Sequence, residues 1–476
     1  MRHFHKYFFI SLAAFVITSC SKDFITQDPA DSINEGDALT SESALNAALN
    51  GVYSDLRSVA LFGRDLPVIG DLQADNTFIE TKNSGRYISQ FNYSVTAADG
   101  IASEIWGGIS GDVFNPGAYT AILRANRIID ADVTGDNVAS IKASAYALRA
   151  LLYFKLVNIY ARPYTEDSSA LGVPLVLHYN PYDLPARSSV GEVYKQIISD
   201  YQAAFASAPA YSSSAYLSKY AVEGLLAKAY LYMNDRQNAK TAAADVITNS
   251  SFKLLTAANY TAYWNNPASR TDAVETLLEI DADVINNNGF DDVGAIYLNG
   301  YQDIYASAQL YSLFSDNDVR KSVMIEGQTK LGSNAILVGK YPNAQNGDRD
   351  NPKVMRLSEV YLIAAEASAG LGDDASALLY LNGLIAQRDP GKVYASSGSQ
   401  LISDIVTERR KELAFEGDRL YDMNRLMLPI ERGTNTGSLP SGSASIPFSD
   451  TRRISPIPQD EIQANPSLTN EQNPGY

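Results

Sequence analysis

The sequence predicts a mainly α-helical protein, a scaffold of stacked helical pairs that carries a loop-rich insertion. Three observations lead there. Apolar residues recur at three- and four-residue spacing through three separate pairs of segments, at 116–160, 217–248 and 351–388. Within the last of these, Gly370 and Gly372 suit a left-handed helix end, and Asp373 or Asp374 suits the next N-cap. Between the pairs lie two long tracts, 63–103 and 250–340, in which the helical period lapses.

The chain opens with Arg2 and Lys6 ahead of an apolar run, Tyr7 to Ile17, too short to cross a bilayer as a helix. Thr18, Ser19 and Cys20 follow. Cys20 is the only cysteine, so it cannot form an internal disulfide, and its place after a signal core marks it as the lipidation site. Residues 1–19 thus read as a signal peptide and 20–40 as lipid anchor and polar tether.

Ser41-Glu42-Ser43 then offers caps to a helix striped by Leu45, Leu49, Val52 and Leu56. From Gly63 to Ser103, polar and aromatic side chains mix without period, which predicts loops and short turns on the surface. Helix resumes over 116–130 and 138–160, the first pair. A Pro-rich extended connection, 163–189, leads to a helix capped by Ser188 or Ser189 and carrying Val193, Ile197 and Tyr201. The second pair covers 217–234 and 238–248. Residues 250–340 crowd aromatics and amides together and read as an insertion on the scaffold. In the third pair, Leu357, Val360, Tyr361, Ala364 and Ala367 form one stripe, with Arg356 and Glu359 left on its flank; Leu378, Leu381, Leu384 and Ile385 form the other. Such pairs cannot cover both stripes alone and must stack, as tetratricopeptide repeats do. Ile402 to Leu420 predicts a long last helix, 433–447 a loop, and the Pro-rich tail an extended strip with a short helix at 459–463.

Composition narrows the chemistry. With 45% hydrophobic and 19% charged residues over 476 positions, the chain is globular. Removing residues 1–19 takes away Arg2 and Lys6 and no acid, so 38 bases become 36 against 54 acids and the formal charge moves from −16 to −18. Such a surface repels phosphate backbones, which excludes nucleic acid as a partner. His178 is then the only histidine, so zinc or copper lacks a ligand cluster. Its apolar setting, Val173 to Tyr179, favours a hydrogen-bonded structural role over a catalytic one.

Several motifs carry a family resemblance: ILRANRIID, YAVEGLLAKAYLYMNDRQNAKTAAADVI, VMRLSEVYLIAAEASAGLG, ERRKELAFEGDRLYDMNR and the closing SPIPQDEIQANPSLTNEQNPGY. In this order they resemble the SusD/RagB family of Bacteroidetes surface lipoproteins, over nearly the whole chain after Cys20; Ser21-Lys22-Asp23-Phe24 resembles that group's short export tag. The resemblance implies a SusD-like fold with an N-terminal helical region at 41–249 and a C-terminal region at 250–476 that contains the binding insertion 250–340. It implies an outer-membrane, surface-exposed protein that binds a glycan or other nutrient without altering it, and a SusC-type TonB-dependent transporter as partner. No cofactor is implied.

Two alternatives compete. Glu408, Glu412 and Glu416 are spaced by four and share a helical face, where two carboxyls could reach the separation of about 5–5.5 Å that retaining glycosidases need. A glycoside hydrolase using Glu412 and Glu416 is one alternative, yet Arg409, Arg410, Lys411, Arg419 and Arg425 would keep these carboxylates ionised, which disfavours a general acid. A helical-repeat scaffold that binds another protein is the other; the Tyr- and Asn-rich tracts count against it. Sugar binding needs flat apolar faces and polar groups for hydroxyls, and 29 tyrosines remain of 30 once Tyr7 is removed. Those at helical spacing, such as Tyr153, Tyr230 and Tyr361, read as core, as does Trp106. The ligand-binding candidates come from the aperiodic tracts, which are expected to form an exposed rim: Asp75, Asn76, Arg86 and Tyr87 from the first, Tyr263, Trp264 and Tyr301 from the second.

Overall fold

The computed structural model describes residues 39–107, 115–433 and 443–476; Cys20 and the signal segment lie outside the described residues. Helices form where the apolar spacing is helical. α1 (Glu42–Leu56) starts at Ser41, whose hydroxyl accepts the Ala44 N–H, and it buries Leu45, Leu49, Val52 and Leu56. It packs on α2 (Ala118–Asp130) and α3 (Val138–Tyr160). α4 (Val190–Ser207) opens with a Ser189–Glu192 capping box and lies against α3 and α5 (Lys219–Tyr232). The stack continues through α6 (Arg236–Asn249) to α7 (Leu357–Gly370), which also meets α8 (Asp374–Ile385) and α9 (Gly398–Glu412). The turn after α7 places Gly372 at φ 77°, and Asp373 caps α8 by accepting the Ser376 N–H. No helix among the described residues is long and apolar enough to cross a membrane.

The aperiodic tracts differ from expectation. Residues 63–80 are not surface loops: a helix at Asp65–Leu72 is wholly buried, and the strand β1 (Thr77–Ile79) follows it inside the protein, whereas much of 81–103 is the expected surface stretch of turns and short helices. Short elements show no helical period in sequence because they span too few turns. The chain then forms hairpin strands β2 (Leu171–Pro174) and β3 (Arg187–Ser189). The insertion adds β4 (Thr276–Glu279), β5 (Ile304–Ala306), β6 (Met324–Gln328) and β7 (Asn334–Val338) ahead of β8 (Lys353–Arg356). β1 pairs antiparallel with β5 in the order β1-β5-β7-β6, so the two tracts share one sheet; β4 pairs with β8.

The long last helix is also interrupted. α9 ends at Glu412, Phe415 and Gly417 take φ of 69° and 84°, and α10 (Arg419–Arg425) begins anew. Gly417 is required here: a Cβ on it would lie 2.2 Å from the Leu66 carbonyl, and one on Gly70 would lie 2.0 Å from the Gly417 carbonyl. The buried helix and this turn meet backbone to backbone.

Arg356 and Glu359, expected on a helix flank, are interior. Glu412 receives Arg388 Nε at 3.0 Å, Arg356 Nη1 at 2.8 Å and Arg320 Nη1 at 3.3 Å. Arg320 also meets Glu408 at 2.6 Å and Asp318 at 2.7 Å, while Arg356 meets Glu275 at 2.9 Å and Glu416 at 2.7 Å. A second layer joins Arg409 to Glu359 and Asp422, both at 2.7 Å, and Lys228 of α5 to Glu359 at 3.0 Å and to Asp418. Burial alone would raise the Glu412 carboxyl, but Arg388, Arg356 and Arg320 outweigh it and hold Glu412 well below the usual carboxylate range.

Two buried carboxyls, Glu412 and Glu223, make stability depend on pH in opposite directions. Glu412→Gln should destabilise the protein by about 3–5 kcal/mol at pH 7, because it strands three guanidinium groups. The folded-state value lies below the unfolded one, so this contribution is complete above about pH 4.5 and is lost on further acidification; urea titrations at pH 7 and pH 3 should show the gap between parent and variant narrowing in acid. Glu223 of α5 behaves oppositely: burial, then hydrogen bonding to Asp245 of α6, pushes it up to about 8. Its ionisation opposes folding increasingly as pH rises from 4.5 towards 8. Glu223→Gln should therefore melt higher than the parent at pH 8 and alike at pH 4.

Candidate functional site

Of the seven predicted ligand residues, the structure buries five. Asp75 is clamped by Arg419, with Nε–Oδ1 at 2.8 Å and Nη2–Oδ2 at 3.0 Å, and by Arg410. Burial would raise its carboxyl, but these arginines pull it below its ordinary value. Asn76 donates to Asp71 at 2.6 Å and accepts from Arg410 Nε at 2.9 Å. Tyr87 is buried, its hydroxyl donating to Asp65. Tyr263 and Trp264 are interior as well, because they form the aromatic bed of the charge cluster. Lys340 Nζ lies 4.5 Å and the Arg356 guanidinium 5.4 Å from the Trp264 ring centroid. Trp106, read as core, is 2% exposed and packs edge-on against Tyr160 at 4.9 Å.

Arg86 and Tyr301 alone of the seven reach the surface, and the structure brings them together from 215 residues apart. The Arg86 guanidinium lies 3.9 Å from the Tyr301 ring centroid. Its Nη2 donates to the Tyr301 hydroxyl at 3.2 Å and to Asp291 Oδ1 at 3.0 Å, and Nη1 donates to Ser84 Oγ at 3.2 Å. Asp291 also accepts from Arg64 at 3.1 Å.

Three residues that sequence reasoning missed complete this rim: Phe290, Asp291 and Arg349. Phe290 is 55% exposed and has the Arg349 guanidinium 5.8 Å from its centroid. Nε and Nη1 of Arg349 are shielded and meet no hydrogen-bond acceptor among the described residues; Asp292 Oδ2 stands 3.8 Å away, beyond hydrogen-bond range. The signal available in sequence was the Asn286-Asn287-Asn288-Gly289 run, which ends directly before an aromatic ring.

Backbone strain flanks both half-buried residues of the pair. Tyr87, next to Arg86, sits at φ 59° and ψ 13°, and Gln302, next to Tyr301, at φ 47°. Left-handed backbone is unfavourable for residues with a Cβ and persists where surroundings over-determine it, typically at ligand clamps. The surroundings here are Asp65, which holds the Tyr87 hydroxyl, and Asp303, which holds the Ser84 N–H at 3.0 Å and Lys330 Nζ at 2.8 Å.

The glutamate series offers no comparable site. Glu408 and Glu412 are fully buried and both are held well below their ordinary range, since Arg320 and Lys411 beside Glu408 outweigh its burial as the arginines do for Glu412. Glu416 is bound to Arg356 and Lys340. His178 is mostly exposed, with Nδ1 3.1 Å from Asp130.

A helical-repeat scaffold presenting an aromatic and guanidinium rim defines a recognition protein built on stacked helix pairs. The family is specific: the chain belongs to SusD/RagB. Residues 305–476 match the model described as the SusD family, and residues 31–231 the one described as "Starch-binding associating with outer membrane". SusD-like protein P2 of Formosa agariphila is 28% identical, over 99% of this chain and 100% of its own. A SusD superfamily crystal structure from Bacteroides thetaiotaomicron superposes with a TM-score of 0.80 at 28% identity, covering 91% of this chain and 99% of that one. A laminarin-binding SusD-like protein shares the fold, with a TM-score of 0.71 at 22% identity over 92% of this chain and 100% of that one.

The division between interior and rim is testable by stability alone. Trp264→Ala should lower unfolding free energy by about 3–5 kcal/mol, whereas Phe290→Ala should change it by no more than about 0.5 kcal/mol, as read by guanidinium denaturation.

Proposed function

We propose that this is a lipid-anchored protein of the outer-membrane surface. It binds an oligosaccharide at the Phe290–Arg86–Tyr301 rim and passes it, unaltered, to a SusC-type TonB-dependent transporter. One observation carries the reading: a guanidinium lying on a tyrosine face and bound to Asp291, whose neighbour in sequence is the exposed Phe290, with strained backbone next to each half of the pair. Rings supply the flat apolar surface for pyranose C–H faces, and Arg86 and Asp291 supply donors and acceptors for hydroxyls. The family description of starch binding with outer-membrane association, and the laminarin ligand of a protein sharing the fold, support the same ligand class. Anchoring through Cys20 follows from the sequence pattern. The rim is open, so contacts are partly solvated and affinity is modest, with preorganised side chains limiting the entropy lost on binding.

Isothermal titration against laminarin, starch, xylan and other neutral glycans should reveal at least one ligand, and Tyr301→Ala should weaken it about tenfold. Indifference to every glycan, or an unchanged affinity in Tyr301→Ala, would overturn the assignment. Separately, Cys20→Ala should release the protein from the membrane fraction; equal retention would sink the anchor.

A further inference from the structure

A second recessed surface runs along the outer face of α1. Two hollows, of about 480 Å³ and 270 Å³, meet at Asn50, Tyr53 and Tyr216, which line both. The larger falls within the size range of small-ligand sites.

The floor comes from helix geometry. Leu45, Leu49, Val52 and Leu56 face the core, which leaves Glu42, Asn46, Asn50 and Ser54 at four-residue spacing on the opposite side. Asn46 and Asn50 are exposed, and neither amide hydrogen-bonds to another described residue. The wall is aromatic. Tyr216 is 49% exposed and stands edge-on to Tyr53, centroids 5.3 Å apart and planes at 85°. Tyr53 is fixed from behind by the Leu217 N–H, which its hydroxyl accepts at 3.0 Å, so the pair is held rigid while the Tyr216 ring is left open.

At its far end the trough is bordered by Asp281, Asp283 and Asn286. The same loop continues to Phe290 and Asp291 at the rim, and four residues span at most about 14 Å. One loop therefore edges both surfaces.

We propose that this trough is a second carbohydrate-binding site, continuous with the rim through residues 281–291, and that it takes a neutral, hydroxyl-rich glycan chain. Free amides and an open tyrosine face are the groups that recognise hydroxyls and pyranose faces. Glu42, Asp281 and Asp283 outnumber Arg57 along the lining and disfavour a polyanionic chain by like-charge repulsion. The ligand class rests on the glycan reading of the rim; the site itself is distinct from it.

The experiment compares parent, Tyr216→Ala, Asn50→Ala, Tyr216→Phe and Tyr301→Ala by isothermal titration. The probes are a trisaccharide and a hexasaccharide of the neutral glycan that binds the parent, with alginate as the polyanionic control. Tyr216→Ala and Asn50→Ala should weaken the hexasaccharide about five- to tenfold and leave the trisaccharide unchanged, while Tyr216→Phe keeps the ring and stays near the parent. Equal hexasaccharide affinity in Tyr216→Ala and Asn50→Ala, alongside a loss in Tyr301→Ala, would overturn the trough and spare the rim. Binding of alginate that depends on Tyr216 would overturn the neutral class. If no glycan binds the parent, the rim assignment falls and this site with it. Should Tyr216→Ala unfold, Asn50→Ala decides, because its exposed amide hydrogen-bonds to no other described residue.

Discussion

Glu412 is the point on which the architecture turns. It is fully buried, and the three guanidinium groups around it come from three separate places: Arg320 in the insertion, Arg356 at the end of β8, and Arg388 beyond α8. Taking such ions out of water costs several kcal/mol each, so the cluster adds little net stability over a well-packed apolar core. Its effect is on register. A slip of the insertion along the helical stack would leave a buried charge unpaired, at about 3–5 kcal/mol each time, whereas apolar contacts would tolerate it more easily. The aromatic bed of Tyr260 and Trp264 fits this role, since their rings lie against Arg388 and Arg356 where no carboxylate does.

The same short segment reaches the proposed binding surface. α9 and α10 direct Arg409 and Asp418 towards the helical stack, through Glu359 and Lys228, and Arg410 and Arg419 towards Asp75. Asp75 and Asn76 directly precede β1, and β1 pairs with β5. Arg86 lies seven residues beyond β1, and Tyr301 three before β5. The two halves of the rim are thus hung from one pair of strands whose entry is held by buried ion pairs. Ligand contacts on loops gain precision from such a support, as recognition by exposed side chains requires.

What was legible in the sequence was what has a period. The stripe of α1, the paired helices and the Gly372–Asp373 turn appear where apolar spacing and cap residues place them, because each requires several turns of repeated pattern. The interior charges were not legible. Arg356 and Glu359 look like solvated flanking residues, since a charged side chain reads as exposed unless its partners are known, and those partners lie 50 or more residues away. The same reasoning misplaced Asp75, Asn76, Tyr87, Tyr263 and Trp264: short buried elements and polar residues satisfied internally have the composition of a surface loop. The density of both signs in ERRKELAFEGDR was the one available clue, and it did announce ion pairing for the glutamates. Phe290 and Arg349 escaped notice because no local pattern marks a residue whose role depends on a neighbour distant in sequence.

The rim and the trough differ in construction, and the difference bears on capture and release. At the rim, Tyr87 and Gln302 hold unfavourable backbone in place with Asp65 and Asp303 as restraints, so Arg86 and Tyr301 are set before any ligand arrives. Preorganisation of this kind lowers the entropy cost of binding but adds no contact area. The trough has area and unsatisfied amides, and its aromatic wall is fixed by the Tyr53–Tyr216 pair. On the proposed reading each surface alone holds a sugar weakly. A chain long enough to span both gains from the high effective concentration of its second segment, whereas a fragment that reaches one surface does not. If the protein collects polymers and surrenders them to a transporter, as proposed, two weak sites on one edge serve it better than a single tight one, because loss of either contact restores fast dissociation.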